Sequence, residues 1–446
     1  MTEDVAPEGK NRPMFPVGLP HVAYVLLWYP LFTQPFIFRE VEGLKKLLPL
    51  SVYSLYGFNL RHCSTEMRAV AGETHTFGVR AFFPVLLECC RCLMLSPMKT
   101  LRLVRRILCQ RWHSWEVLGE NVWAFSVGLY LGRLFKEEGI DMIYAPWPRG
   151  TATAAWVASQ ISGIPFATAA RGDNLEPADP DLGVKLRAAS FIRANNAADK
   201  TRIENFDCGQ ARNKVELVYN SLTLPPPEDM PDRDKPLLDK NRMPRPVRIL
   251  ALGRFDVTKG FDVLMRACAI LRDRGLDFQL TLAGGGGAVM GLGHMEAQIL
   301  KLRKTLQLED RVRLPGLVSH NELPHILLAH DIFAAPCVIH SSGRRDGIPN
   351  TVIEALSYGL PVVSTTVNAL PEVVRHNETG LAVPPGDAPA LAEAILRLAD
   401  DANLAVRLGR NGKALALEMF DPDRNNRRLA QMFINHVSQG KGQCAA

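Results

Sequence analysis

Two cations and two carboxylates in the second half of the chain have the types and spacing to do chemistry. Arg254 and Lys259 lie five apart in Gly253-Arg254-Phe255-Asp256-Val257-Thr258-Lys259-Gly260, just past an apolar run and at the start of a helical one. Ligands of parallel α/β sheets bind beyond the carboxyl ends of the strands. Two cations in that place suit a diphosphate, whose charge must be neutralised during cleavage. Solvated surface charge is the plain alternative, and the position of the pair favours a ligand. Asp346 and Glu354 lie eight apart in Arg344-Arg345-Asp346-Gly347-Ile348-Pro349-Asn350-Thr351-Val352-Ile353-Glu354. Gly347 permits a tight turn and Pro349 suits a first helical turn. The helix N-terminus that follows offers backbone N–H groups to a phosphate. Carboxylates at this spacing reach different hydroxyls of one long ligand, such as a sugar and a ribose. An ordinary capped helix is the alternative. The run Gly284 to Gly287 also follows a strand, without the glycine spacing of a dinucleotide fingerprint. It reads equally as a turn that lets the backbone approach a nucleotide, with Gly285 inside it, or as a flexible loop.

Such groups need parallel strands to hold them. In the second half, 247–252, 278–283, 331–336 and 361–365 read as strands. Between and after them, 259–274, 296–306, 349–358 and 391–398 read as helices, the first with Val263, Leu264, Ala267 and Leu271 at helical spacing. Ser319-His320-Asn321-Glu322 forms a capping box. Regular alternation of strand and helix means βαβ units and a doubly wound sheet. The first half follows the same grammar, with strands at 21–27, 50–55, 142–145, 166–169 and 215–219 and a helix at 36–48. Between the halves, Leu224-Pro225-Pro226-Pro227-Glu228-Asp229 and a charged stretch to Pro246 mark a linker. The expected division is a disordered leader at 1–18, an α/β domain at 19–223, a linker at 224–246 and a second α/β domain at 247–420.

The length of 446 residues suits two hydrophobic cores better than one. The composition, 47% hydrophobic and 22% charged, is that of a globular chain. No apolar run approaches the roughly 20 residues that span a bilayer, and the polar start from Met1 to Pro16 lacks the apolar core of a secretory signal. Nine scattered cysteines, an odd number, fit a reducing cytosol. Cys89, Cys90 and Cys92 read as buried apolar thiols rather than a metal cluster, because no second pair stands at zinc-binding spacing. The formal net charge of +6 is mild for the length. It permits an acidic membrane surface or an anionic substrate and does not point to nucleic acid.

Several segments in fixed order carry a resemblance: 253–260, the Gly-rich turn, Leu314-Pro315-Gly316, 346–355, Gly359-Leu360-Pro361-Val362-Val363, Pro371-Glu372 and 380–386. Together, over roughly Val247 to Leu408, they resemble the donor-binding domain of the retaining glycosyltransferase family four. Through Arg345-Asp346-Gly347-Ile348-Pro349 the likeness is to bacterial exopolysaccharide transferases of the colanic-acid type. The resemblance implies the GT-B fold, two Rossmann-like doubly wound domains with a cleft between them. It implies donor pyrophosphate on Arg254 and Lys259, the sugar near Asp346 and ribose hydroxyls on Glu354. Gly253, Gly285, Gly347, Ile348, Pro349 and Asn350 complete the implied donor side, with Asp346, Arg254 and Lys259 nearest the chemistry. One departure is visible. The family usually carries two glutamates eight residues apart, and here the first is Asp346, one methylene shorter in reach.

The first half resembles the acceptor side. Tyr29-Pro30-Leu31-Phe32-Thr33-Gln34-Pro35-Phe36-Ile37 is similar to a loop that in relatives often reads Ser-Glu-Thr-Phe-Ile, which puts forward Thr33. Thr168-Ala169-Ala170-Arg171-Gly172-Asp173-Asn174 is similar to the acceptor segment, putting forward Arg171, Asp173 and Asn174. Relatives often place histidines where this chain has Arg171 and Ala145-Pro146-Trp147-Pro148, so no histidine base carries over. Arg171 reads as a ligand or as a member of an ion pair. Phe420-Asp421-Pro422 and the Arg-rich helix after it resemble the closing segment that crosses back onto the first domain, placing 421–446 there.

The implied activity moves a hexose, with retention, from a UDP- or GDP-sugar to a lipid-linked or oligosaccharide acceptor in bacterial exopolysaccharide or envelope glycan synthesis. The nucleotide sugar is a co-substrate, no other cofactor is expected, and no Asp-x-Asp metal motif stands in a suitable loop. The expected location is cytoplasmic, compatible with peripheral attachment to the inner membrane. The stretch 96–112 reads as a helix with Lys99, Arg102 and Arg106 on one face and Leu101, Val104 and Leu108 on another. That pattern fits an anionic membrane surface as well as a helix packed on its own domain. A sugar-nucleotide epimerase, a phosphorylase of the same fold and a non-catalytic sugar-nucleotide binder are the alternatives.

Overall fold

A computed structural model describes residues 15–16, 18–61, 63–112, 114–171, 178–222, 245–285, 293–319 and 321–444. The expectations for the leader up to residue 14, the linker at 224–244, His320, Asp173, Asn174, Gly286 and Gly287 lie outside the described residues.

The strands form two sheets, and every pairing is parallel. The first sheet contains β1 (Val22–Leu31), β2 (Leu50–Asn59), β3 (His75–Thr76), β4 (Met142–Ala145), β5 (Phe166–Ala170), β6 (Ile192–Ala194) and β7 (Val215–Leu217). Its order is β3-β2-β1-β4-β5-β6-β7. The second contains β8 (Val247–Leu252), β9 (Phe278–Ala283), β10 (Val312–Arg313), β11 (Ile332–Ala335), β12 (Val362–Thr365) and β13 (Leu381–Val383). Its order is β10-β9-β8-β11-β12-β13.

Parallel sheets are covered on both faces, so their strands read as continuous apolar runs. Successive residues of β1 divide between two cores: Val22, Tyr24 and Leu26 enter one, Ala23 and Val25 the other. β8 does the same, with Ile249 and Ala251 on one face and Leu250 and Leu252 on the other. In each sheet the chain first builds outward on one side, then crosses to the other. The crossing points are β1 beside β4 and β8 beside β11. Strand order reverses there, which opens a crevice at the carboxyl ends.

The last helix, Pro422–Cys444, returns to the first sheet. Its Leu429, Met432 and Phe433 share a core with Val22 and Tyr24 of β1. The expected helix at 259–274 begins two residues later, at Phe261, after a tight turn Val257–Lys259 capped by Asp256. Pro349 precedes the first turn of the helix Asn350–Ser357 rather than lying in it, with ψ at 133°. The stretch 96–112 contains the helix Pro97–Ile107, whose buried face is Thr100, Leu103 and Ile107. The apolar face expected there is divided: Val104 and Leu108 pack against the core, and Leu101 is exposed. Among the expected buried thiols, Cys92 is buried, Cys89 is half-buried and Cys90 is exposed, because Cys90 sits on the outward side of its helix.

Candidate active site

A cavity of about 410 Å³ lies where the carboxyl ends of the two sheets face each other. Arg254 and Lys259, from the segment after β8, line it together with Asp346, Gly347, Ile348, Pro349, Asn350 and Ile353, which follow β11. The opposite wall comes from the first sheet. Thr33 and Gln34 follow β1, Trp147 follows β4, Arg171 follows β5, Asn195 and Asn196 follow β6, and Asn220 follows β7. Both crossing points therefore open onto one space.

Lys259 Nζ stands 3.1 Å from Asp346 Oδ2. Burial acts to lower the Lys259 ammonium, but the Asp346 carboxylate outweighs it and holds the group above the ordinary lysine range. Asp346 Oδ2 also accepts from the Thr258 hydroxyl at 3.3 Å, and its backbone carbonyl accepts from Asn368 Nδ2 at 2.9 Å. Beneath them, Asp256 accepts from the Thr258 N–H and from Arg344, each at 2.9 Å. Burial raises the Asp256 carboxyl, and these donors more than reverse that, leaving it below its usual range. Gly260 locks the segment in place. It has φ +64°, and a Cβ there would lie 2.0 Å from the Pro336 carbonyl oxygen, at the end of β11. Only glycine lets the two strand ends close so tightly on Lys259.

The helix Asn350–Ser357 has no side-chain cap. Its first-turn N–H groups and its positive dipole end stand beside the two cations on the cavity wall. Gly347 brings the opposite wall close, since a Cβ there would lie 3.0 Å from Asn196 Nδ2. Glu354, farther along the helix, is only 4% exposed and does not line the cavity. Burial pushes its carboxyl up to about 7. Gly253 and Gly285 likewise lie outside the cavity lining, Gly285 against Leu317.

On the first-sheet wall Arg171 is a member of an ion pair and also lines the cavity. Its Nε donates to the Pro146 carbonyl and one terminal nitrogen to Asn220 Oδ1, both at 2.9 Å. Its other terminal nitrogen lies 3.6 Å from Glu40 Oε2. The guanidinium faces the rings of Phe36 at 5.1 Å and Trp147 at 5.5 Å. Glu40 is buried and is also held by Arg193 at 2.5 Å and by the Tyr24 hydroxyl at 2.6 Å. Burial raises the Glu40 carboxyl, but Arg193 and Arg171 reverse the effect and keep it ionised. Thr33 also lines the cavity.

Sequence reasoning missed Asn195, Asn196, Asp199 and Asn220 on this wall. One signal was available: Asn196 caps the helix Ala197–Asn205, accepting from the Asp199 N–H at 2.7 Å while its amide donates to the Asp199 carboxylate at 2.7 Å. It also missed the role of Glu372. This residue of the second domain accepts from the N–H groups of Ala197 and Ala198, at 3.0 and 3.1 Å, and from the Tyr219 hydroxyl at 2.8 Å, all in the first domain. Among the described residues no group of three or more His, Cys, Asp or Glu is placed to hold a metal ion.

Residues 246–401 match the family model described as Glycosyl transferases group 1. The chain is 37% identical over 159 residues to the amylovoran biosynthesis glycosyltransferase AmsK of Erwinia amylovora, covering 36% of this chain and 37% of that one. It is 34% identical over 148 residues to WcaL of Escherichia coli K12, named for colanic acid biosynthesis, covering 33% and 35%. The matches thus span little more than a third of these relatives' length. Among solved structures, Anabaena HepE in complex with UDP-glucose superposes with a TM-score of 0.64 at 18% identity, covering 92% of this chain and 98% of that one. The chain carries a Glycosyl transferases group 1 domain, and its two parallel sheets have the GT-B fold.

Proposed function

We propose that this chain is a retaining glycosyltransferase that moves a hexose from a UDP- or GDP-sugar to a lipid-linked or oligosaccharide acceptor in bacterial exopolysaccharide or envelope glycan synthesis. One observation carries the reading. Two cations, Arg254 and Lys259, share a cavity wall with the uncapped start of the helix Asn350–Ser357, opposite a separate wall built by the first domain. A cationic wall ending in a helix N-terminus favours the diphosphate of a donor. The opposite wall, with Thr33, Arg171 and Asn220, is where an acceptor would stand. The names of AmsK and WcaL support exopolysaccharide synthesis, and the UDP-glucose bound to HepE supports a nucleotide-sugar donor.

In the proposed step the bond between the sugar's anomeric carbon and the diphosphate oxygen breaks. The acceptor oxygen forms its bond on the same face of the sugar, and its proton passes to the departing phosphate. Arg254 and Lys259 neutralise the charge that develops on the diphosphate, and the cavity holds both reactants in register. Asp346 is proposed to accept from a sugar hydroxyl and Glu354 from the ribose. With two side-chain cations in this place, we propose that transfer proceeds without a metal ion and that the nucleotide sugar is the only small-molecule co-substrate. No described helix is long and apolar enough to cross a membrane. We place the work on the cytoplasmic face of the inner membrane, where the free thiols of Cys63, Cys89, Cys92 and Cys337 fit a reducing compartment.

The test is a panel of UDP- and GDP-hexoses screened for thermal stabilisation, followed by NMR of the product formed from the stabilising donor. A product with the donor's anomeric configuration, formed equally well with a chelator present, is the expected result. Inversion at the anomeric carbon would contradict the mechanism, and binding with no cleavage of any donor would leave a sugar-nucleotide binder.

A further inference from the structure

The helix Phe82–Leu95 carries apolar residues on its outer as well as its inner side, with Glu88 and Arg91 its only charged residues. Its inner face, Val85, Glu88 and Cys92, is buried. Its outer ridge, at i, i+4, i+7 and i+11, is Phe83, Leu87, Cys90 and Met94. Phe83 is 78% exposed, Leu87 71% and Met94 74%. A surface helix bathed in water carries polar side chains outward, and one apolar all round belongs in a core or in lipid. After Ser96 the chain bends by 118° into the helix Pro97–Ile107. Leu95 and Met98, on either side of that bend, are 70% and 73% exposed. A contiguous apolar surface of this kind marks an interaction site.

Charge identifies the partner. Between Val79 and Arg111 the chain has seven basic residues and one acid, Glu88. Glu88 is buried and bonded by Arg133 at 2.9 Å, so it offers nothing to a partner. Lys99, Arg102, Arg105 and Arg106 are all exposed. A second copy of the chain, paired symmetrically on this face, would set these cations against themselves. The two helices, 14 and 11 residues long, reach about 21 and 17 Å. Each is short of the ~30 Å hydrocarbon core, so the pair suits the plane of a bilayer surface rather than a crossing.

We infer that the corner formed by these two helices docks on an anionic bilayer, with the ridge from Phe83 to Met94 at the acyl boundary and Arg102 and Arg105 on the lipid phosphates. The acyl-contacting part lies upstream of the stretch 96–112 that sequence periodicity singles out. The helices belong to the domain that supplies Thr33 and Arg171 to the cavity, so docking would set the acceptor wall beside the membrane. That last consequence rests on the transferase reading, whereas the docking itself does not.

The experiment is co-sedimentation of the full chain with vesicles of phosphatidylcholine alone and of phosphatidylcholine with phosphatidylglycerol, at low and high salt. Wild type is expected to bind the anionic vesicles, less so at high salt. A variant with Phe83→Gln, Leu87→Gln and Met94→Gln is expected to lose at least about tenfold in partitioning. A variant with Arg102→Gln and Arg105→Gln is expected to lose the salt-sensitive part of binding. Calorimetry with the nucleotide sugar, done in parallel, should show donor affinity unchanged in both variants, which establishes that they are folded. A fluorophore on Cys90, with Cys109, Cys208 and Cys444 replaced by Ser, should shift to the blue on binding. Failure of wild type to bind anionic vesicles, equal binding by the ridge variant, or a wild-type dimer abolished by the ridge variant would each overturn the inference. Intact vesicle binding without any donor binding would overturn the transferase reading instead.

Discussion

Lys259 Nζ lies 3.1 Å from Asp346 Oδ2, joining the segment after β8 to the turn that opens the helix Asn350–Ser357. The pair fixes both groups on one cavity wall. In the proposed reaction a diphosphate arriving there would compete with Asp346 for the ammonium and release the carboxylate toward a sugar hydroxyl. Lys259→Ala is therefore expected to weaken binding of the nucleoside diphosphate by about 1.5–3 kcal/mol, the loss of one charged hydrogen bond, or roughly 10- to 150-fold. Titration calorimetry checks this, and an unchanged affinity removes Lys259 from the donor site.

Asp346 should show the opposite division. Its proposed partner is the sugar, not the nucleotide, and it competes with the diphosphate for Lys259, so Asp346→Ala is expected to leave the affinity for bare nucleotide unweakened. Turnover should fall much further. Initial rates alongside calorimetry separate the two effects, and a variant that loses nucleotide affinity but keeps its turnover contradicts the assignment.

Glu354 predicts a pH dependence. Burial pushes its carboxyl up from 4.5 to about 7, so between those values the folded chain holds a proton that the unfolded chain has lost. Its contribution to stability is present below the unfolded pKa and declines as the pH rises through about 7. A ribose hydroxyl donating to Glu354 favours the ionised form. Nucleotide affinity should therefore rise with pH up to about 7, with protons released on binding. Calorimetry in buffers of different ionisation enthalpy reads that release directly. Glu354→Gln should abolish it, and a release that survives the substitution belongs to another group.

Glu372 closes the two domains on each other by capping the helix Ala197–Asn205 from the far side of the cleft. Glu372→Ala is expected to cost about 0.5–2 kcal/mol, as loss of a helix cap does. Hydrogen exchange in the first turn of that helix should quicken while the helix Asn350–Ser357 stays protected. Equal protection in both proteins would mean that the cap does not hold the cleft.

The second domain is the more legible half because its strands are apolar runs separated by helices with clear periodicity. Val247–Leu252 and Phe278–Ala283 have the limits that their apolar runs predict. β6 and β13 have three residues each and leave no pattern to recognise. The helix Trp115–Glu137 escapes sequence reading for a different reason. Its Gly128 and Gly132 press against Val157 and Ile161 of the helix Gly150–Ser162, so apolar and small residues occur on several sides. In the site, residues following one strand are readable as a string, namely Arg254 with Lys259 and Asp346 through Asn350. The opposite wall takes one or two residues from each of several strand ends, as with Trp147, Asn195 and Asn220. Only the sheet brings these together. Glu372 stands in plain sight in Pro371-Glu372, but its partners lie in the other domain.

Whether the cationic wall cleaves a sugar donor is decided by release of nucleoside diphosphate from a panel of UDP- and GDP-hexoses, measured for wild type and Lys259→Ala side by side. Wild type is expected to cleave at least one donor, slowly with water alone and faster with a saccharide acceptor, and the variant to lose most of that rate. No release from any donor, or the same rate in the variant, would contradict the transferase assignment.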